Sequence, residues 1–166
     1  MLRMILLLCC LLPALVRAQA LPWQQLQILG EASLNFLIWP VYNATLYGPP
    51  ERFSFPQTRP FALALEYKRA FNTEQLVAET RKQWQEIGVK DTEAWAAILE
   101  GIFTDVQEGD AITLYVDETG ASYFYFNQQY LGVINDPVFS EQFAAIWLSE
   151  KTTRPGFRDK LLGRDK

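Results

Sequence analysis

The chain has 166 residues, 15 basic against 19 acidic side chains for a net charge of −4, two cysteines and no histidine. Its length suits one domain with a sizeable core, and its acidic balance makes no electrostatic case for nucleic acid, which asks for clustered Lys and Arg. The missing histidine removes the commonest general base and the commonest transition-metal ligand, and with it Ser-His-Asp triads.

Residues 1–20 read as a signal peptide. Arg3 supplies the positive start, Ile5 to Leu12 a short apolar run, and Ala18-Gln19-Ala20 the small-x-small cleavage site. The run is too short for a membrane span, which needs about 20 apolar residues. Cys9 and Cys10 lie inside it with Leu8 before them, so a lipidation site, which wants a small residue just before the cysteine, is not expected. Cleavage leaves 146 of the 166 residues and, with Arg3 and Arg17 gone, a net charge of −6. The mature chain would hold no cysteine, hence no disulfide, no thiol nucleophile and no structural zinc. Periplasmic or otherwise exported localisation follows, with residues 21–166 as a single domain and no transmembrane segment.

The stretch from Gly30 to Tyr47 organises the remainder. Ala32, Leu34, Phe36 and Ile38 alternate with Glu31, Ser33 and Asn35, the period of a half-buried strand. Pro40 interrupts, and the alternation resumes from Val41 to Tyr47, so one long strand bends or two short ones meet. Tyr42, Asn43 and Thr45 form a polar cluster among large apolar groups, a pattern shared by small-ligand sites and ordinary sheet edges. A proline-rich connector follows. Phe61, Leu63, Leu65 and Tyr67 then alternate with Ala62, Ala64, Glu66 and Lys68 as a second strand.

Asn72 with Gln75 has capping-box spacing and predicts a helix running to about Ile87 and stopping at Gly88. Its apolar stripe is Leu76, Val77, Trp84 and Ile87, with Thr80 between. Asp91 is expected to cap a second helix that buries Trp95, Ile98, Leu99, Ile102 and Phe103. A three-stranded meander follows Gly109-Asp110, and its middle run Tyr123-Phe-Tyr-Phe126 reads as a central strand covered on both faces. Asp136 and Pro137 start a third helix, and the charged tail from Thr152 is expected to fray. Antiparallel strands with helices gathered on one face make an α+β domain.

Several stretches recur together: Val41-Tyr-Asn-Ala-Thr-Leu-Tyr47, Tyr67-Lys-Arg69, Trp84-Gln-Glu-Ile-Gly88 and Gly109-Asp110. Tyr125-Phe-Asn127 with Leu131-Gly132, Asp136-Pro137-Val-Phe139 and Ala145-Ile-Trp-Leu148 complete the set. In this order they resemble the chalcone isomerase-like family, specifically its exported bacterial branch. The resemblance implies a curved antiparallel sheet with helices packed on one face, an open-faced β-sandwich with a ligand cleft between sheet and helices.

The family's enzymes close a flavonoid ring using an arginine of the first long strand, a threonine of its second half, and a tyrosine and an asparagine of the following helix. Aligned on Tyr47 and Trp84, the arginine falls at Ser33 or Ala32, the threonine near Tyr42, and the helix pair near Asn72 and Glu79; a lysine is kept as Lys68. No basic residue lies between Gly30 and Tyr47. Losing a group that stabilises a developing oxyanion lowers a rate about 10²–10³-fold, so no catalytic residue is expected. Other relatives hold a fatty acid, with an arginine and a tyrosine on its carboxylate.

The resemblance therefore implies a non-catalytic exported binding protein for a hydrophobic small molecule such as a fatty acid, without cofactor or metal. Tyr42, Asn43, Tyr67, Lys68 and Arg69 are its candidate ligand-binding residues. The competing expectation places Lys68 and Arg69 in solvent at a strand end and Tyr67 in the core. The alternatives are an isomerase or lyase on an unsaturated carbonyl compound using Tyr42 and Lys68, and an envelope protein-interaction module.

Overall fold

A computed structural model of the chain describes residues 20–49 and 53–164. The expected signal peptide falls on residues 1–19, outside the described residues, apart from Ala20. Six strands form one sheet: β1 (Gln27–Phe36), β2 (Trp39–Gly48), β3 (Phe61–Tyr67), β4 (Ala111–Val116), β5 (Ser122–Phe126) and β6 (Gln129–Ile134). Each pairs antiparallel with its predecessor, so spatial order repeats chain order. Helices α1 (Thr73–Glu86) and α2 (Glu93–Ile102) fill the connection from β3 to β4; α3 (Pro137–Leu148) and α4 (Pro155–Leu161) follow β6. The architecture is the expected α+β open-faced sheet.

The stretch around Gly30 is a hairpin rather than one bent strand. β1 and β2 meet in a two-residue turn at Leu37 and Ile38, with Phe36 opposite Trp39. Pro40 stands beside a bulge: Leu34 pairs Tyr42 while Asn35 pairs Pro40, leaving Val41 as the extra residue. Gly30 is required by α4, because a Cβ there would lie 2.1 Å from the Lys160 carbonyl oxygen and 2.5 Å from that of Leu161. The tail accordingly does not fray. Leu161 is fully buried, and the Arg158 Nε donates to the Leu148 carbonyl at 2.8 Å, tying α4 back to α3.

The α1 capping box is formed: the Gln75 N–H donates to Asn72 Oδ1 at 2.8 Å and the Asn72 N–H to Gln75 Oε1 at 2.9 Å. The start of α2 differs from expectation. Thr92 occupies the N-cap without a side-chain bond, and Asp91 takes φ 56° in the connection. Ala96 and Leu99 are buried in α2, while Ile98, expected inside, is exposed. Arg81 of α1 bridges to Glu93 and Glu100 of α2.

The core lies between the sheet's inner face and the helices. Leu63, Leu65, Ile112, Leu114 and Phe124 face Val77, Trp84, Leu99, Phe139 and Phe143. Phe124 turns inward from β5 and is fully buried, but Tyr123 and Tyr125 on its other face are only half-covered. Trp23, in a short 3-10 helix at Pro22–Gln25, packs edge-on against Tyr125 at 4.8 Å between ring centroids and screens part of that outer face. β5 is one strand in from the sheet edge, not central.

Candidate functional site

Between the inner face of the sheet and helices α1, α3 and α4 lies a cavity of about 430 Å³, within the span of about 300–1,000 Å³ usual for small-ligand sites. Its walls are apolar: Leu63, Leu65, Ile112 and Leu114 from the sheet, Leu76, Phe143 and Ile146 from the helices. Leu34, Phe36 and Val41 of the hairpin border it, as do Gln75, Glu79 and Lys82 of α1, and Arg69 and Arg154. Apolar walls bordered by polar and charged side chains suit a molecule with a long apolar part and a polar group.

Tyr42 and Tyr67 are two of these polar groups. They are cross-strand partners on β2 and β3, their rings edge-to-face at 6.1 Å between centroids. The Trp147 indole N–H of α3 donates to the Tyr42 hydroxyl at 3.0 Å, which leaves the tyrosine's own proton free to be given. Burial pushes the Tyr42 hydroxyl up to about 12; the Trp147 bond and the positive charge of Arg154 pull the other way, and Glu79 adds to the rise. Tyr67, 7 % exposed, makes no side-chain hydrogen bond within the described residues. Its hydroxyl is raised further by burial, with Tyr42 adding to it. Both side chains are therefore neutral donors near neutral pH and neither serves as a base.

The expected site residues divide. Tyr42, Tyr67 and Arg69 line the cavity; Asn43 and Lys68 do not. Asn43 sits at an odd position of β2, exposed on the outer face, where its Oδ1 accepts from the Ser33 hydroxyl at 2.8 Å. Strand alternation sends it away from Tyr42. Lys68 is paired with Glu66, so the Tyr42–Lys68 arrangement that a lyase would need is not assembled. The Arg69 guanidinium lies 5.2 Å from the centroid of the Phe71 ring, a cation–π distance.

Ser33, where the family's arginine aligns, also turns outward, whereas Ala32 is buried in the core. Asn72 is occupied as the α1 cap.

Arg154 and Trp147 were not legible as site residues. Arg154 lies at the start of α4 and acts electrostatically on the Tyr42 hydroxyl. It has no acidic partner among the described residues. Its segment is held by Thr152, whose hydroxyl donates to the Ile146 carbonyl at 2.7 Å. Trp147 carries the α3 periodicity expected of core, and nothing in that period tells a packed indole from one that also positions a hydroxyl. Among the described residues no group of three or more carboxylate side chains is arranged to hold a metal ion.

An antiparallel open-faced sheet whose helical side encloses a cavity of small-ligand size, with a tyrosine pair on its wall, defines an open-faced α+β domain. The family model for chalcone isomerase-like proteins matches residues 16–163, and the chain belongs to that family. No curated protein matches its sequence. Among solved structures it is similar to a fatty-acid binding protein of Arabidopsis thaliana, at 10% identity and a TM-score of 0.65, over 83% of this chain and 87% of that one.

Proposed function

We infer that this protein is a non-catalytic binder of a long-chain carboxylic acid, with the acyl tail in the 430 Å³ cavity and the carboxylate at the Tyr42–Tyr67 end. The observation that carries this reading is the pair of neutral tyrosine hydroxyls on the wall of a largely apolar chamber, with Arg154, a cation without an acidic partner among the described residues, acting on Tyr42. A carboxylate accepts hydrogen bonds only, and two free hydroxyl protons with a guanidinium supply complementary donors. The similarity in fold to a plant fatty-acid binding protein supports the same ligand class. Absence of catalysis is supported by the lack of any basic residue from Gly30 to Tyr47 and by the placement of Lys68 outside the cavity.

Titration of delipidated protein with palmitate by calorimetry tests the reading. Saturable one-to-one binding, with the methyl ester at least tenfold weaker, is expected; equal affinity for acid and ester would remove the carboxylate from the argument, and no binding of either would remove the ligand class.

We read the chain further as an exported bacterial member of the family, on the strength of residues 1–20. Amino-terminal sequencing of protein recovered from its host should begin at Leu21; a start at Met1 would refute cleavage.

A further inference from the structure

The free end of the β1–β2 hairpin carries four consecutive large apolar side chains. Phe36 is 66 % exposed, Leu37 83 %, Ile38 83 % and Trp39 62 %. Elsewhere among the described residues large apolar side chains are exposed only singly, which is ordinary. Nothing in the folding of the hairpin asks for these four. Leu37 stands at φ 56° in the first position of the two-residue turn, where a residue without a Cβ is favoured. Glycine or asparagine would suit both the backbone and the solvent better.

We propose that this tip inserts into a lipid bilayer and seats the mouth of the cavity on the membrane surface. Phe36, paired across the hairpin with Trp39, borders the cavity, so burying the tip to the depth of one turn brings the mouth against the acyl boundary. Tryptophan is at home there, with its ring in the apolar layer and its N–H towards water. The tip is too small to serve as a stable protein interface. Its four side chains present on the order of 500–600 Å², short of the about 800 Å² that each side of a standard interface buries. The net charge of −4 gives no long-range pull towards anionic lipid, so apolar insertion carries the affinity. Transfer of an acyl chain between bilayer and cavity rests on the ligand reading above; docking of the tip does not.

Flotation of the ligand-free protein with phosphatidylcholine vesicles, and with vesicles containing added phosphatidylglycerol, tests it. Binding is expected to both, to within a few-fold, and to be little weakened by salt. Emission of the exposed Trp39 should move to the blue and be quenched by brominated acyl chains, a signal absent from Trp39→Phe. The double variant Leu37→Gly/Ile38→Ser should lose vesicle affinity about a hundredfold or more. Neither residue lines the cavity, and glycine suits φ 56°, so this variant should keep its melting temperature and its affinity for soluble palmitate. Wild-type protein that fails to float with either vesicle, or a double variant that floats equally well, would overturn the proposal. So would concentration-dependent dimerisation abolished by the double variant, which would assign the tip to a second copy of the chain. Vesicle binding without palmitate binding would sink the ligand reading and leave the docking intact.

Discussion

Replacing Tyr67 by phenylalanine should lower ligand affinity while leaving stability nearly unchanged. The Tyr67 side chain is 7 % exposed and its hydroxyl has no partner among the described residues. The hydroxyl opens into the 430 Å³ cavity and is not a stranded buried group, so water can meet it and its lack of a protein partner costs little. Tyr67→Phe should therefore change stability by less than about 1 kcal/mol, a shift of at most about 4 °C in melting temperature. Tyr42→Phe is the contrast. It leaves the Trp147 N–H without its 3.0 Å acceptor and should lose about 0.5–1.5 kcal/mol. Both variants remove a donor to the ligand. A hydrogen bond to a carboxylate contributes about 1.5–3 kcal/mol, so each should weaken palmitate by about one to two decades with little effect on its methyl ester. Urea unfolding and calorimetric titration of the two variants side by side make the measurement. A Tyr67→Phe protein as destabilised as Tyr42→Phe, or one that binds palmitate as tightly as wild type, would refute the reasoning.

Arg154→Ala should weaken palmitate about tenfold or more and spare the ester, while Arg69→Ala, whose guanidinium rests by Phe71, should have the smaller effect; the reverse order in titration would move the carboxylate towards Arg69. Stability should be flat with respect to Tyr42 and Tyr67 below pH 10, because raised tyrosine pKa values favour the fold while the hydroxyls stay protonated. Above the unfolded value of about 10 it should decline, Tyr42 alone removing about 2–3 kcal/mol by the time its folded value of about 12 is passed; urea titrations should show that part of the decline missing from Tyr42→Phe. Gly30→Ala places a Cβ 2.1 Å from a backbone oxygen of α4 and should cost about 1–3 kcal/mol, read as a lower melting temperature and faster proteolysis after Arg154.

The elements with a regular period were legible, and those fixed by long-range contacts were not. Strand β3, the α1 capping box and the Asp136–Pro137 start of α3 follow from local chemistry, and the structure forms each of them. The turn at Leu37–Ile38 was hidden because turn signals are Gly, Asn and Asp, and this turn uses two large apolar residues; Pro40 drew attention to itself three residues too late. The tail looked exposed by its charge, yet Leu161 is buried against β1, a contact that charge counting cannot see. In the candidate site, Tyr67 was offered by strand alternation and Tyr42 by its polar cluster and the family resemblance, and the two border the cavity as cross-strand partners. Asn43 was misplaced because the neighbour of an inward residue in a strand points outward.

The position of the cation bears on the proposed reading of the chain as a binder. A guanidinium that stabilises charge in a transition state works best preorganised in a water-excluded pocket, where its desolvation is met by fixed partners. Arg154 is held differently: its backbone is anchored through Thr152 and α4, but the residue is exposed and its head has no acidic partner among the described residues. Such a group is solvated when the cavity is empty and paired when a carboxylate arrives, so filling and emptying the site avoid stranding a buried charge. The two tyrosines complete the arrangement, since neutral hydroxyls tolerate an empty apolar chamber far better than an ion would. This distribution of charge fits the reversible loading of a carboxylate proposed above.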